Sequence, residues 1–136
     1  MITVRVLVGV VAVAAALAMN VVSAEPQIRR AERDPRWTAP ASAASLSNPL
    51  SNRPDAAAGG AKLFHSRCAT CHGGDGRGTS DAPALDDSNV QAQADGELFW
   101  KISSGNTRTG MPGFSFLPEP QRWQLVLHLR TLPRQK

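Results

Sequence analysis

Cys68-Ala69-Thr70-Cys71-His72 decides how the rest of the sequence is read. Cys68 and Cys71 are the only two cysteines in the chain. Three residues apart on a helical turn they share a face, and an imidazole follows at once. A disulfide between them would close so small a loop that it would barely constrain the unfolded chain. A structural zinc site asks for about four ligands, usually in two pairs, and the spacing of His65, His72 and His128 fits no such pattern. A thioredoxin-like pair asks for a strand–helix–strand context, and the sequence carries no strand signal of any length. The reading that uses all three functional residues is covalent attachment of one haem. The two thiols add to the vinyl groups on one edge of the porphyrin, and His72 becomes the proximal ligand of the iron.

Working outward, Asp55 reads as an N-cap and Ala56 to Arg67 as a helix with Leu63 and Phe64 on its apolar face. Gly59 and Gly60 weaken that helix by roughly 1 kcal/mol each relative to Ala, which suggests that another backbone must come close there. Gly73 to Gly78 is loop, and Pro83-Ala84-Leu85 closes that region. Asp95 to Ser104 is a second helix, with Leu98, Phe99 and Ile102 at helical spacing and Gly105 past its end. Asn106 to Phe116 is loop again. Pro118 to Leu132 is the last helix, stopped by Pro133. The expected class is all-α, three main helices joined by long loops. About 80 residues with so few large side chains make a thin core, and long loops in a compact domain need something to bind them. A buried cofactor answers both problems.

The iron's sixth position asks for a second ligand. Met111 sits in Thr109-Gly110-Met111-Pro112-Gly113 and is the sole methionine left once a signal peptide carrying Met1 and Met19 is removed. A lone Met usually fills a core, but one flanked by Gly and Pro in a loop suits that job poorly. His/Met coordination raises the reduction potential relative to bis-His. His65 and His128 are the rival ligands, each on a helix that must pack elsewhere. A haem without an open position suits one-electron transfer and not catalysis. Three readings stand: a free electron carrier, a dedicated cytochrome subunit of a dehydrogenase or terminal oxidase complex, and a haem sensor or enzyme with a displaceable Met111. Phe114 and Phe116 are expected to line the distal side. Trp100 is expected in the core or haem wall, where its indole can reach a propionate. Asp86 and Asp87 read as a solvated loop, Arg77 and Lys101 as a solvated face with partner contact as the alternative, and Trp37 as solvated, with docking on the domain or a partner as the alternative.

Residues 1–24 read as a secretory signal peptide, with Arg5, an apolar run from Val6 to Met19, and Val22-Ser23-Ala24 before the cleavage point. The run is shorter than the roughly 20 residues of a spanning helix; retention as an anchor is the competing reading. The expected compartment is the periplasm. Residues 25–54 read as a disordered Pro/Ala/Arg-rich arm, and 55–136 as the folded domain. The formal net charge is +4, but from residue 55 onward nine Lys/Arg stand against eight acids. With no basic run and no aromatic platform there, nucleic acid is not an expected partner.

From about Asp55 to Leu132 the chain resembles class I (monohaem) cytochromes c of the exported bacterial type. Gly60-x-x-Leu63-Phe64-x-x-x-Cys68 is similar to the family's first helix, Pro83-x-Leu85 to its proximal segment, Glu97 to Ile102 with Gly110-Met111-Pro112 to its middle helix and axial loop, and Trp123 to Leu132 to its last helix. The resemblance implies a class I fold wrapped around one covalent haem c, with Cys68, Cys71, His72, Met111 and Pro83 at the cofactor and His72 and Met111 on the iron. It implies that Gly60 admits the last helix. It also implies that the Pro83 carbonyl accepts the Nδ1–H of His72, fixing its tautomer. The implied partners are redox donor and acceptor proteins, with membrane contact only through them or through an uncleaved signal. The family often has Tyr or Trp where this chain has His128, which should pack against Phe64.

Overall fold

In the computed structural model, which describes residue 34 and residues 36–133, the chain forms α1 (Ala41–Ala44), α2 (Ala57–Arg67), α3 (Ala69–His72), α4 (Ser88–Gln91), α5 (Asp95–Ser104) and α6 (Glu119–Thr131). A 3₁₀ turn, Pro54–Ala56, leads into α2. Among the described residues there is no strand, only an isolated bridge between Asn106 and Met111. None of their helices is long and apolar enough to cross a membrane. The expected signal peptide, residues 1–24, lies outside the described residues.

The three main helices stand where the sequence puts them: α5 has the expected bounds, α2 starts one residue later, and α6 is shorter by one residue at each end. Asp55 is not an N-cap: its carboxylate pairs with Arg53 at 3.2 Å on the surface, and Pro54 bends the backbone into the 3₁₀ turn first. α5 begins at Asp95, where the Glu97 carboxylate accepts from the Ala94 N–H at 2.7 Å. It ends at Gly105 with φ +65, a conformation that glycine adopts without strain. Pro118 precedes α6, and Glu119 occupies its first turn.

α2 and α6 share the largest helix–helix interface. Phe64, Leu125 and Val126 are fully buried beneath it. The reason for Gly60 is direct. A Cβ there would collide with the backbone carbonyl of Gln124 and would lie 3.0 Å from the Cβ of His128. At Gly59 a Cβ would meet only the Gln124 side-chain amide, 2.8 Å away, which is flexible and can move. His128 does pack on Phe64, with ring centroids 5.0 Å apart. Its Nε2 is buried without a hydrogen-bond partner, and the His65 ring lies 6.5 Å away. Burial, then the neighbouring His65, pushes the His128 imidazole below its ordinary range.

The expected disordered arm needs correction over most of its length. Residues 36–54 lie on the domain. Ala43 is only 3% exposed, and its carbonyl occupies the space that a Cβ on Gly96 would need. Buried Asn48 donates from Nδ2 to the Trp123 carbonyl at 3.2 Å and accepts from the Leu50 N–H at 2.9 Å. The prolines do not keep the described part free of regular structure, since Pro40 caps α1 and Pro54 starts the 3₁₀ turn; a segment can be fixed by tertiary contacts of small residues without any period of its own. Residues 25–33 and 35 lie outside the described residues. A second correction concerns Asp86, which is 1% exposed and not solvated.

At the α6 end, Arg130 links the helix to the α4–α5 region. Its guanidinium sits 2.8 Å from the Asp95 carboxylate and donates to the carbonyls of Gln91 at 2.9 Å and Gln93 at 2.5 Å.

The crossing yields two expectations. Gly60→Ala should lower stability to urea by about 2–3 kcal/mol or more, because the obstacle is backbone. Gly59→Ala should stay within about 1 kcal/mol of the parent, since side-chain adjustment and the higher helix propensity of Ala offset each other. For His128, the folded state disfavours the charged form, so it binds fewer protons than the unfolded chain at and below the ordinary value of 6.5. Stability is therefore lost as pH falls through that range. Between about pH 7 and about pH 5 the drop in melting temperature should be smaller in His128→Phe than in the parent.

Candidate functional site

α2 ends at Arg67, and the backbone turns at Cys68 into the single turn of α3. That turn carries the attachment motif. The His72 N–H donates to the Cys68 carbonyl at 2.9 Å, which keeps both cysteines and the histidine on one compact unit. The two thiols are free and not bonded to each other. Cys71 is exposed, whereas Cys68 is partly buried, and burial pushes its thiol up to about 11.

His72 is buried. Its Nδ1 lies 2.9 Å from the Pro83 carbonyl. A carbonyl can only accept, so Nδ1 carries the proton and Nε2 keeps its lone pair. Burial outweighs that hydrogen bond and holds the imidazole below its ordinary range, in the neutral form that binds metals. The loop that delivers Pro83 is closed by its own backbone: the Gly78 N–H donates to the His72 carbonyl at 2.8 Å and the Leu85 N–H to the Gly76 carbonyl at 2.7 Å. The Thr79 hydroxyl donates to the Cys71 carbonyl at 2.5 Å.

Met111 is held by a reciprocal pair of backbone bonds. The Asn106 N–H donates to the Met111 carbonyl at 2.9 Å, and the Met111 N–H to the Asn106 carbonyl at 3.0 Å. The Phe114 N–H then donates to the Ile102 carbonyl at 2.9 Å, returning the loop to α5.

These elements enclose a cavity of about 440 Å³, within the usual size range of ligand pockets. Cys68, Cys71, His72, Pro83 and Met111, all singled out from sequence, line it together. Phe64, Leu98, Ile102, Phe114, Leu125 and Leu129 supply apolar wall. Two sequence readings do not hold. Phe116 is 66% exposed and lies off the wall. Trp100 is not on the wall either; Trp37 is, with the Lys101 Nζ 4.9 Å from its ring centroid. Neither Trp37 nor Lys101 is simply solvated. Nothing in the periodicity around Trp37 marks it, because its place comes from contacts between segments distant in sequence. Asn106, whose residue type gives no hint, is another wall residue.

The donor set fits a haem. The wall is chiefly apolar, paired thiols stand beside a histidine with a free Nε2, and a thioether lines the same space. Two buried donors on the wall, Trp37 Nε1 and Asn106 Nδ2, have no acceptor in the protein. Among the described residues no group of three or more His, Cys, Asp or Glu forms a conventional metal cluster.

No curated protein matches the chain. Among solved structures, cytochrome cL from the marine methylotrophic bacterium Methylophaga aminisulfidivorans MPT is similar at 25% identity and a TM-score of 0.53, over 61% of this chain and 59% of that one. The chain thus spans less than two thirds of that relative's length. The KustC0563 c-type cytochrome is similar at 30% identity and a TM-score of 0.50, over 55% of this chain and 98% of that one. The all-helical arrangement described above thus matches structures of c-type cytochromes. Residues 55–129 match the family described as cytochrome C oxidase, cbb3-type, subunit III, a stretch of more than half of the chain that contains the motif, Pro83 and Met111. With the attachment motif, the oriented histidine and the apolar cavity in one domain, the chain belongs to that family of c-type cytochromes.

Proposed function

We propose that the chain is a periplasmic one-electron carrier holding one haem c with His72 and Met111 as axial ligands. The observation that carries the reading is the presence on one cavity of a neutral histidine oriented by Pro83 and the methionine pinned by Asn106. When bound, haem supplies an iron that cycles between ferric and ferrous and so takes up or releases one electron. The chain's own residues do the rest. Cys68 and Cys71 anchor the porphyrin edge as thioethers. Pro83 fixes the His72 ring and raises its basicity as a ligand. The apolar wall from α5 and α6 keeps water from the iron, and a thioether at the sixth position raises the potential relative to a second imidazole.

Partners are inferred at the level of class: a donor protein and an acceptor protein that meet the domain in small, weak encounters. A second reading has a specific observation in its favour. The matched family is described as an oxidase subunit, which fits a cytochrome dedicated to one complex instead of a free shuttle. Copurification from native membranes discriminates: a stoichiometric oxidase partner that withstands salt favours the subunit, and recovery as a soluble monomer favours the carrier.

Two substitutions test the site. Replacing Cys68 and Cys71 together by Ala should abolish haem that survives denaturing electrophoresis; haem retained there would exclude thioether attachment. Met111→Ala should open the sixth position, allow rapid binding of carbon monoxide to the ferrous protein, and lower the potential. An unchanged potential would rule Met111 out as ligand. Rapid carbon monoxide binding by the parent itself would instead support a sensor with a displaceable Met111.

A further inference from the structure

We infer that Trp37, from the segment preceding the family domain, is a cofactor-positioning residue: its indole N–H, together with the Asn106 side-chain amide, donates to the carboxylates of the bound haem. The inference rests on the reading of the cavity as a haem site and extends it beyond the residues that the family match contains.

The argument begins with two orphaned donors. Trp37 Nε1 and Asn106 Nδ2 are both buried with no hydrogen-bond partner, and both residues line the cavity. Buried polar groups in native proteins are nearly always paired, so each such exception asks for an acceptor. The orientation of the Asn106 amide is fixed independently, because its Oδ1 accepts from the Arg108 N–H at 3.2 Å; the Nδ2 end is therefore the one left over. Asn106 is 6% exposed, so the amide cannot turn toward solvent without giving up the bond its Oδ1 accepts from the Arg108 N–H. An indole nitrogen donates only, and so does the Nδ2 end of the amide. The missing partner is thus an acceptor.

The acceptor class follows from the cofactor. The periphery of a haem presents vinyl and methyl groups, which accept nothing, and two propionate carboxylates, which accept strongly. The charge on the wall is balanced, two acids against two bases, and does not oppose it. The titratable side chains there, besides the motif residues, are Asp34, Arg67, Asp81 and Lys101. Lys101 is held over the Trp37 ring, so a cation lies beside the indole donor. Asp34 is the acid of this segment, and its carboxylate is engaged by the Arg36 N–H at 3.0 Å and Nε at 3.3 Å. The segment itself is anchored and not adventitiously close: Ala39 and Ala43 are buried, and α1 packs on Gly96 of α5.

A carboxylate that accepts from fixed donors is held ionised, so its pKa falls. An ionised propionate stabilises the ferric form, and the potential drops with rising pH as the propionate loses its proton. The test is the reduction potential of the full-length haem protein as a function of pH, in the parent and in Trp37→Phe, which keeps the ring and removes the donor. The expected result is that the pH-dependent step in the potential moves upward by about one unit in the variant. As a measurement read on the parent, ¹⁵N-labelled tryptophan in the reduced protein should show the Trp37 indole N–H slow to exchange and displaced by the ring current, with Trp37→Phe used only to assign the signal. Coincident pH profiles, or a Trp37 indole proton that exchanges like an exposed one, would overturn the inference while leaving the haem reading intact. A chain that carries no covalent haem would overturn that reading itself.

Discussion

The approach of Gly60 to the Gln124 carbonyl sets how closely α2 and α6 can cross, and the cavity is built outward from that contact. Two consecutive glycines weaken a helix by roughly 1 kcal/mol each. Burial of Phe64, Leu125 and Val126 under the crossing contributes roughly 1.5–3 kcal/mol per side chain, so packing outweighs the local cost. The same contact has a consequence for the site. α2 runs directly into Cys68 and α3, while Leu125 and Leu129 of α6 face the cavity. Fixing α2 against α6 therefore fixes the attachment motif against one apolar wall.

The two residues proposed for the iron are far apart in sequence, and both are held by hydrogen bonds to backbone groups of short loops. His72 depends on the Gly78 N–H and the Pro83 carbonyl, and Met111 on the two bonds it exchanges with Asn106. Main-chain bonds carry little of the rotamer entropy that long side chains would bring. Loops held this way are shaped by the chain itself, which is what a site of defined geometry requires. The arrangement also explains why long loops are tolerated in so small a domain: each is closed on itself or on a helix end instead of spanning open space.

The parts of this arrangement legible in sequence are those with a local cause. α5 was readable to the residue, because Leu98, Phe99 and Ile102 repeat at helical spacing and Gly105 ends the pattern. The attachment motif and the isolated Met111 were readable because they are unusual residues in unusual company. The N-terminal segment was not: Ala39, Ala43 and Asn48 have no period, and Ala43 packs on Gly96 while Asn48 bonds the Trp123 carbonyl, both far away in the chain. Burial of Asp86 and exposure of Phe116 run against residue type, so hydropathy pointed the wrong way. The exchange of Trp100 for Trp37 on the wall has the same origin. Sequence could count the tryptophans but not choose among them, since the choice is made by tertiary packing.

The physical unit is consequently larger than the family domain. α5 is held by α1 at Gly96 and by α6 at Asp95, where Arg130 binds the carboxylate. Asn106 and Met111 sit just past the end of α5, so their placement inherits both restraints. A segment that packs on α5 and also contributes a wall residue acts on the cavity twice, once through the helix and once directly. Arg130 acts only through the helix, because it does not line the cavity. The two restraints therefore differ in kind: loss of the Arg130 link perturbs the position of the Met111 loop alone, whereas loss of residues 36–54 perturbs that position and removes part of the wall. Residues before the domain boundary thereby belong to the site on physical grounds, although the motifs that define the family begin only at residue 55.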